Sequence, residues 1–212
     1  MICGVDEAGK GSVLGPLVVA AVGCTTMDEL TALGVADSKK LSPKTREKIS
    51  AEIRERFPYS LVIRSAHEID DLRRTMTMNE LVARSHAEAL SSLSCTCAYL
   101  DACDVNEKRY AEMVSSFSPH RCSIIACHKA DSLYPPVSAA SIIAKVERDR
   151  IIEELSQEFG AIGSGYPSDQ ITITYLTGYI REHNRPPVIA RSSWETVKAL
   201  LHQKNQSSLF DF

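Results

Sequence analysis

The hydrophobic pattern changes period along this chain. Ile2 to Val5 reads as a short strand and Leu17 to Cys24 as a second, nearly all apolar or small. Leu61 to Ser65 resembles a third. Ahead of it, Ser42-Pro43 places a serine at a helix N-cap and a proline at the first helical position, and that helix should run to about Arg56. Thr77-Met78-Asn79-Glu80 has capping-box spacing and opens a helix through Leu93. Strand and helix then alternate: a strand from Cys97 to Leu100 ending at Asp101, a helix from Asn106 to Phe117, and a strand from Cys122 to Cys127. A long helix follows Pro136, with Ala, Ser and Ile on its buried side and Glu147, Arg148, Asp149 and Arg150 leading to a wet end. Two more helices are predicted, from Ser168 to about His183 and from Ser192 to about His202. In the second, Ser192 and Glu195 again have capping-box spacing. Strands gathered early, then alternation, then helices predict an α/β fold: a mixed sheet flanked by helices, with a small helical C-terminal lobe. The boundaries expected are a main domain over 1–160, a lobe over 161–203 continuous with it, and a flexible tail over 204–212 with a hydrophobic end.

Composition bounds the picture without deciding it. The 212 residues, 44% hydrophobic and 24% charged, suit one sizeable globular domain. No apolar run approaches the roughly 20 residues that span a bilayer. The opening Met1-Ile2-Cys3-Gly4-Val5 lacks the basic and apolar regions of a secretion signal. A cytoplasmic protein without membrane contact is the expectation. The cysteines Cys3, Cys24, Cys95, Cys97, Cys103, Cys122 and Cys127 are odd in number and contain no CxxC pair, so they read as buried reduced thiols. A net charge of -3 argues at first against a nucleic-acid partner, since phosphate binders are mostly basic. If four carboxylates belong to a metal site, leaving them out moves -3 to +1, so the global charge does not decide.

Candidate chemistry sits at strand ends. Asp6-Glu7 follow the first inferred strand, Asp101 the fourth and Asp131 the fifth. In open α/β sheets, ligands bind in the crevice beyond the carboxyl ends of the strands. Were these strands parallel neighbours, four carboxylates would converge there, and like charges held together need a cation. Oxygen ligands without His or Cys select Mg²⁺ or Mn²⁺ over zinc. The plain alternative is that Asp101 and Asp131 are turn or helix-capping acids.

Longer blocks carry a resemblance. Asp6-Glu7-Ala8-Gly9-Lys10-Gly11 resembles the signature opening of the type 2 ribonuclease H family. Asp37-Ser38-Lys39-Lys40-Leu41-Ser42 is similar to its DSKKL motif. Tyr99-Leu100-Asp101 and His128-Lys129-Ala130-Asp131 resemble its third and fourth acidic blocks. Ser138 to Val146 resembles its long-helix signature, and Gly163-Ser164-Gly165-Tyr166-Pro167-Ser168-Asp169 resembles a family loop. The blocks stand in family order from position 6 to about 169. The resemblance implies a ribonuclease H-like mixed five-stranded sheet with Asp6, Glu7, Asp101 and Asp131 as catalytic acids and metal ligands, two ions acting together. It implies an endonuclease that cuts the RNA strand of RNA–DNA hybrids and single ribonucleotides in duplex DNA, leaving 3′-hydroxyl and 5′-phosphate ends. The acids in D-E-D-D order, together with Tyr166, point to type 2 over type 3 enzymes. A junction-resolvase-like DNA nuclease and a catalytically silent duplex-binding or clamp-adaptor module are the alternatives.

For substrate binding, the resemblance implies that the backbone of Gly9-Lys10-Gly11 meets the 2′-hydroxyl. It also implies that the Tyr166 ring packs on the sugar beside the scissile junction. Lys10 stands where most members have Arg, and lacks that side chain's bidentate fork. Lys39, Lys40 and Lys145 are candidate phosphate contacts. His128, beside the fourth acid, reads as a shuttle or ligand or, more commonly, as a structural imidazole. The C-terminal Gln206, Leu209 and Phe212 resemble a peptide that binds a sliding clamp, as in archaeal-like forms, though the usual second aromatic is absent. A monomer is expected.

Overall fold

The computed structural model describes residues 1–35, 41–118 and 122–207. A five-stranded sheet is built from β1 (Ile2–Ala8), β2 (Leu17–Cys24), β3 (Tyr59–Arg64), β4 (Cys97–Asp101) and β5 (Ser123–Cys127), in the order β3-β2-β1-β4-β5. It is mixed: β1 pairs antiparallel with β2, while β4 runs parallel to both β1 and β5. Every residue of β2 is buried, as its unbroken apolar run requires. The helices are α1 (Met27–Thr31), α2 (Pro43–Arg56), α3 (Ala66–Leu72), α4 (Met78–Ser91), α5 (Glu107–Phe117), α6 (Pro135–Phe159), α7 (Gln170–His183) and α8 (Glu195–Ser207).

Capping chemistry sets several of these boundaries. Ser42 accepts from the Thr45 N–H, with Pro43 at the first helical position, and Thr77 and Glu80 close the predicted capping box of α4. The same box at Ser65 and Glu68 starts α3, a short helix that hydrophobic periodicity did not reveal. At α8 the expected box does not form. The helix starts at Glu195, and the Ser192 and Ser193 N–H groups donate instead to the Asp70 carboxylate, at 2.7 and 3.0 Å. A second correction concerns the long helix. Glu147 and Arg148 are buried rather than wet, as their four-residue spacing from the buried Ile143 and Ala144 dictates. A third concerns the thiols, since only Cys3 and Cys24 are buried and the other five are half-buried.

The chain clusters into two compact units that interleave in sequence. The first comprises Met1–Ala8, Val18–Ile63 and Thr77–Glu147 and holds most of the sheet. The second comprises Gly9–Leu17, Arg64–Met76 and Arg148–Phe212. The expected 161–203 lobe thus lies within a larger unit that also takes in two earlier segments. Its core gathers Val13, Leu14, Ile152, Ile162, Leu176, Ile180, Ile189, Ala190 and Val197. Residues 204–207, expected in the tail, belong to α8, where the Lys204 ammonium donates to the carbonyls of Ile180 and Arg181 at the end of α7. In the first unit α6 lies hard against β1: a Cβ at Gly4 would come within 2.1 Å of the Pro136 backbone, so only glycine admits the approach.

Candidate active site

In the first unit, the acids expected just after β1 lie inside it. The strand continues to Ala8, with Asp6 opposite Ala20 and Glu7 opposite Val19. Side chains alternate along a strand, and the contacts follow that rule. Asp6 hydrogen-bonds Ser141 on α6, while Glu7 meets His86 on α4. Asp101 ends β4. Its neighbour Leu100 pairs with Val5, so parallel register carries Asp101 alongside Asp6. Asp131 follows β5 in a single 3₁₀ turn, Ala130–Ser132, entered through Lys129 in the left-handed region at φ 56°. The Ala130 N–H donates to Asp101 Oδ1 at 2.8 Å, which ties the turn carrying the fourth acid to the third. The register thus sets Asp101 beside Asp6, and this hydrogen bond links the last two acid-bearing segments.

The cluster sets like charges close to Asp6. Asp6 is only 7% exposed. Burial, then the charges of Glu7 and Asp101, push its carboxyl well above the usual carboxylate range, with the Ser141 hydrogen bond opposing. Asp131 is also buried. Crowded carboxylate oxygens are a donor set suited to a hard divalent cation. Among the described residues, no three His, Cys, Asp or Glu side chains already surround one point. Lys145 is half-buried one helical turn beyond Ser141, on the same face of α6. His128 is exposed; its backbone N–H donates to Glu107 at 2.7 Å, and its ring Nε2 lies 4.0 Å from the same carboxylate.

The second unit contains the Gly-Lys-Gly turn and Tyr166. The Gly9 N–H donates to the Tyr166 hydroxyl at 3.1 Å, and both N–H groups of Val13 and Leu14 donate to the Gly165 carbonyl. Gly9 has φ +85°, and a Cβ there would meet Arg148 Nε at 2.4 Å, so glycine is obligatory; at Gly11 a Cβ would meet nothing within 4 Å. Gly11 therefore leaves open space. Two buried arginines hold the arrangement. The Arg148 guanidinium lies 4.6 Å from the centroid of the Tyr166 ring and donates to the Ser164 carbonyl at 2.9 Å. Arg191, 0% exposed, donates to the Gly15 carbonyl through Nε and Nη2 and to the Lys10 carbonyl through Nη1. Burial, then the charge of Arg148, pushes Arg191 down to about 9. Asp169 accepts from the Ser164 and Ile171 N–H groups and caps α7, which closes the Tyr166 loop.

Sequence reasoning missed four of these residues. His86 and Arg148 were legible in principle, each one helical turn from buried residues (Val82 and Ala144), but His86 was overlooked and Arg148 was placed at a wet end. Tyr110, whose hydroxyl lies 3.1 Å from His86 Nδ1, and Arg191 gave no local signal. Lys39 and Lys40 lie outside the described residues, as do Leu209 and Phe212; Gln206 falls in the last turn of α8.

A mixed five-stranded sheet with acids at the carboxyl ends of adjoining parallel strands defines a hydrolytic nuclease of the ribonuclease H-like class. The family model described as Ribonuclease HII matches residues 3–197, and the chain belongs to that family. It is 81% identical over 212 residues to the Ribonuclease HII of Methanospirillum hungatei, with all of both chains covered. Its fold is similar to that of ribonuclease H2 from Pyrococcus horikoshii OT3 (TM-score 0.89, 40% identity, 97% of this chain and 99% of that one). It is likewise similar to the Archaeoglobus fulgidus ribonuclease HII solved in complex with PCNA (TM-score 0.87, 42% identity, 94% and 96% covered). The chain is an endoribonuclease of a divalent-metal-dependent family that cleaves the RNA of RNA–DNA hybrids and cuts at single ribonucleotides. The resolvase-like and catalytically silent readings are set aside.

Proposed function

We propose that Asp6, Glu7, Asp101 and Asp131 hold Mg²⁺ or Mn²⁺, two ions during cleavage, and that hydrolysis leaves 3′-hydroxyl and 5′-phosphate ends. The observation that carries this reading is the parallel register that sets Asp101 beside buried Asp6, with the Ala130 N–H tying the Asp131 turn to Asp101. Divalent ions at such a site lower the pKa of water and stabilise a leaving oxygen. The protein's own part is to hold the acids on a rigid sheet. Asp101 is anchored by the Ala130 N–H, and Ser141 orients Asp6. The backbone of Gly9, Lys10 and Gly11 reads the 2′-hydroxyl, with the Tyr166 ring packing on the neighbouring sugar. The hydrogen bond from Gly9 to Tyr166 and the open space at Gly11 support this pairing of roles. Lys10, Lys39, Lys40 and Lys145 contact phosphates as point charges. The enzyme works in the cytoplasm on RNA–DNA hybrid and ribonucleotide-containing duplex. It acts as a monomer, because one chain supplies all four acids. The test is a cleavage map of a DNA duplex carrying one ribonucleotide, run across Mg²⁺ and Mn²⁺ titrations with end-group analysis. Cleavage that persists in a chelator, or 3′-phosphate products, would refute it.

The tail residues Gln206, Leu209 and Phe212 bind a sliding clamp, a reading supported by the PCNA complex of the Archaeoglobus relative. Because Lys204 secures α7, the truncation that tests recruitment alone should begin at residue 208. Loss of clamp affinity with unchanged basal cleavage is the expected result; equal clamp titrations of both forms would reject the tail as a ligand.

A further inference from the structure

The first unit holds a polar chain that the family resemblance did not suggest and the function above does not use. His86 lies on α4 among Leu81, Val82, Ala83, Ala87, Ala89 and Leu90, and its side chain is 0% exposed. Its Nε2 is 3.0 Å from Glu7 Oε2, and its Nδ1 is 3.1 Å from the hydroxyl of Tyr110 on α5. Tyr110 is also 0% exposed, and its ring meets the imidazole edge-on with centroids 5.8 Å apart. Two large polar side chains buried between these helices are costly unless every donor and acceptor is matched.

The matching has a direction. A carboxylate can only accept, so Nε2 carries the proton that Glu7 receives. In the neutral ring Nδ1 is then an acceptor, and the Tyr110 hydroxyl donates to it. Tyr110 thus selects the tautomer, and the tautomer fixes the bond to Glu7. Burial, then the charge of Glu7, pushes the Tyr110 hydroxyl well above its usual range, which keeps it a donor. A core histidine satisfied for packing alone would be as well served by a backbone carbonyl. This one terminates on a member of the acid cluster and engages Oε2, while a carboxylate offers lone pairs on both oxygens.

On the reading of Glu7 as a cation ligand, we propose that His86 and Tyr110 are positioning residues that hold the Glu7 carboxylate oriented for a divalent ion. They touch neither substrate nor reacting atoms and act through Glu7. Partners that orient a ligating side chain typically govern metal affinity by about 10–100-fold.

The test is calorimetric titration of Mn²⁺ alone into the full chain, with thermal unfolding recorded for each variant. His86→Leu, close in volume and apolar, should bind Mn²⁺ about 10–100-fold more weakly while remaining folded. His86→Gln, which retains an N–H donor, should recover part of that loss. Tyr110→Phe keeps the imidazole but frees its tautomer, and should weaken binding by about three- to tenfold. A purely structural role predicts lower unfolding temperatures with unchanged Mn²⁺ affinity in all three variants. That result, alongside lost binding in Glu7→Gln, would overturn the positioning role and leave the metal site standing. Wild-type affinity in Glu7→Gln would instead overturn the metal-site reading on which it rests. Should His86→Leu fail to fold, Tyr110→Phe decides alone, and unchanged affinity there overturns the proposal.

Discussion

The two units treat buried charge in opposite ways. The first buries carboxylates beside one another: Asp6 is raised in proton affinity by burial and by its acidic neighbours, and the donors around it, Ser141 and the Glu7 N–H, are neutral. The second buries cations, and it has matched them to backbone. Arg191 grips two carbonyls with three hydrogen bonds, and Arg148 lies on the Tyr166 ring while holding the Ser164 carbonyl. A buried charge is costly unless paired and hydrogen-bonded. Arg191 meets that condition inside the protein, and Arg148 meets it through its Nη2, its buried Nε having no hydrogen-bond partner among the described residues. The acids place like charges close together, and the proposed cation site rests on that crowding.

The contrast can be broken most directly at Asp101. Asp101→Asn keeps an acceptor for the Ala130 N–H but removes a charge, so the fold should survive. Cleavage should fall by at least about a thousandfold, roughly 4 kcal/mol of barrier, measured as single-turnover rates at saturating Mg²⁺ with thermal unfolding as the control. Turnover near wild type would mean that the crowded acids serve no cation.

Arg191→Met probes the other side. It leaves the Gly15 and Lys10 carbonyls without their donor, and the stability of the protein should drop by about 2–3 kcal/mol, read by denaturant unfolding. Mn²⁺ affinity should be untouched, because the hydrogen bonds of this arginine go to the Gly15 and Lys10 carbonyls and not to the four acids. A parallel loss of Mn²⁺ binding would show that the two kinds of buried charge are not independent.

A smaller effect is expected at Tyr166. Tyr166→Ala should lower kcat/KM at a lone ribonucleotide by about tenfold, near 1.4 kcal/mol. Duplex affinity should hardly change, since phosphate contacts dominate binding. Equal losses on every substrate would mean that the ring only braces its loop.

The smallest effect sharpens the comparison through pH. The Ser164 and Ile171 N–H groups hold the Asp169 carboxyl below its usual range, with the Ser164 backbone bond the largest cause. A depressed folded-state pKa gives stability that is fully present above the unfolded value, about 3.9, and is lost as pH falls through the folded value. Asp169→Ala should therefore be less stable than wild type at pH 7, with the gap closing in acid. A gap independent of pH would mean that the carboxylate charge contributes nothing to the cap.

Much of this was readable from residues alone. The strand β2 followed from its apolar run, α2 and α4 from their caps, and the position of Asp101 from the end of its strand. These signals are local, carried by neighbours within one turn or one strand, so one sequence contains them complete. Three matters were decided only by tertiary structure. β1 runs on through its acids because β2 pairs with it as far as Ala8, a register that no residue in Ile2–Ala8 dictates by itself. Ser192 failed as a helix cap because Asp70, 122 residues earlier in sequence, claims its N–H. Glu7 gained His86 and Tyr110, and Lys10 gained Arg191, through contacts 24 to 181 residues apart. The sequence determined which side chains can bear charge, cap or pack. Partner choice over such separations depends on packing, because a buried charge accepts whichever donor the fold delivers to it.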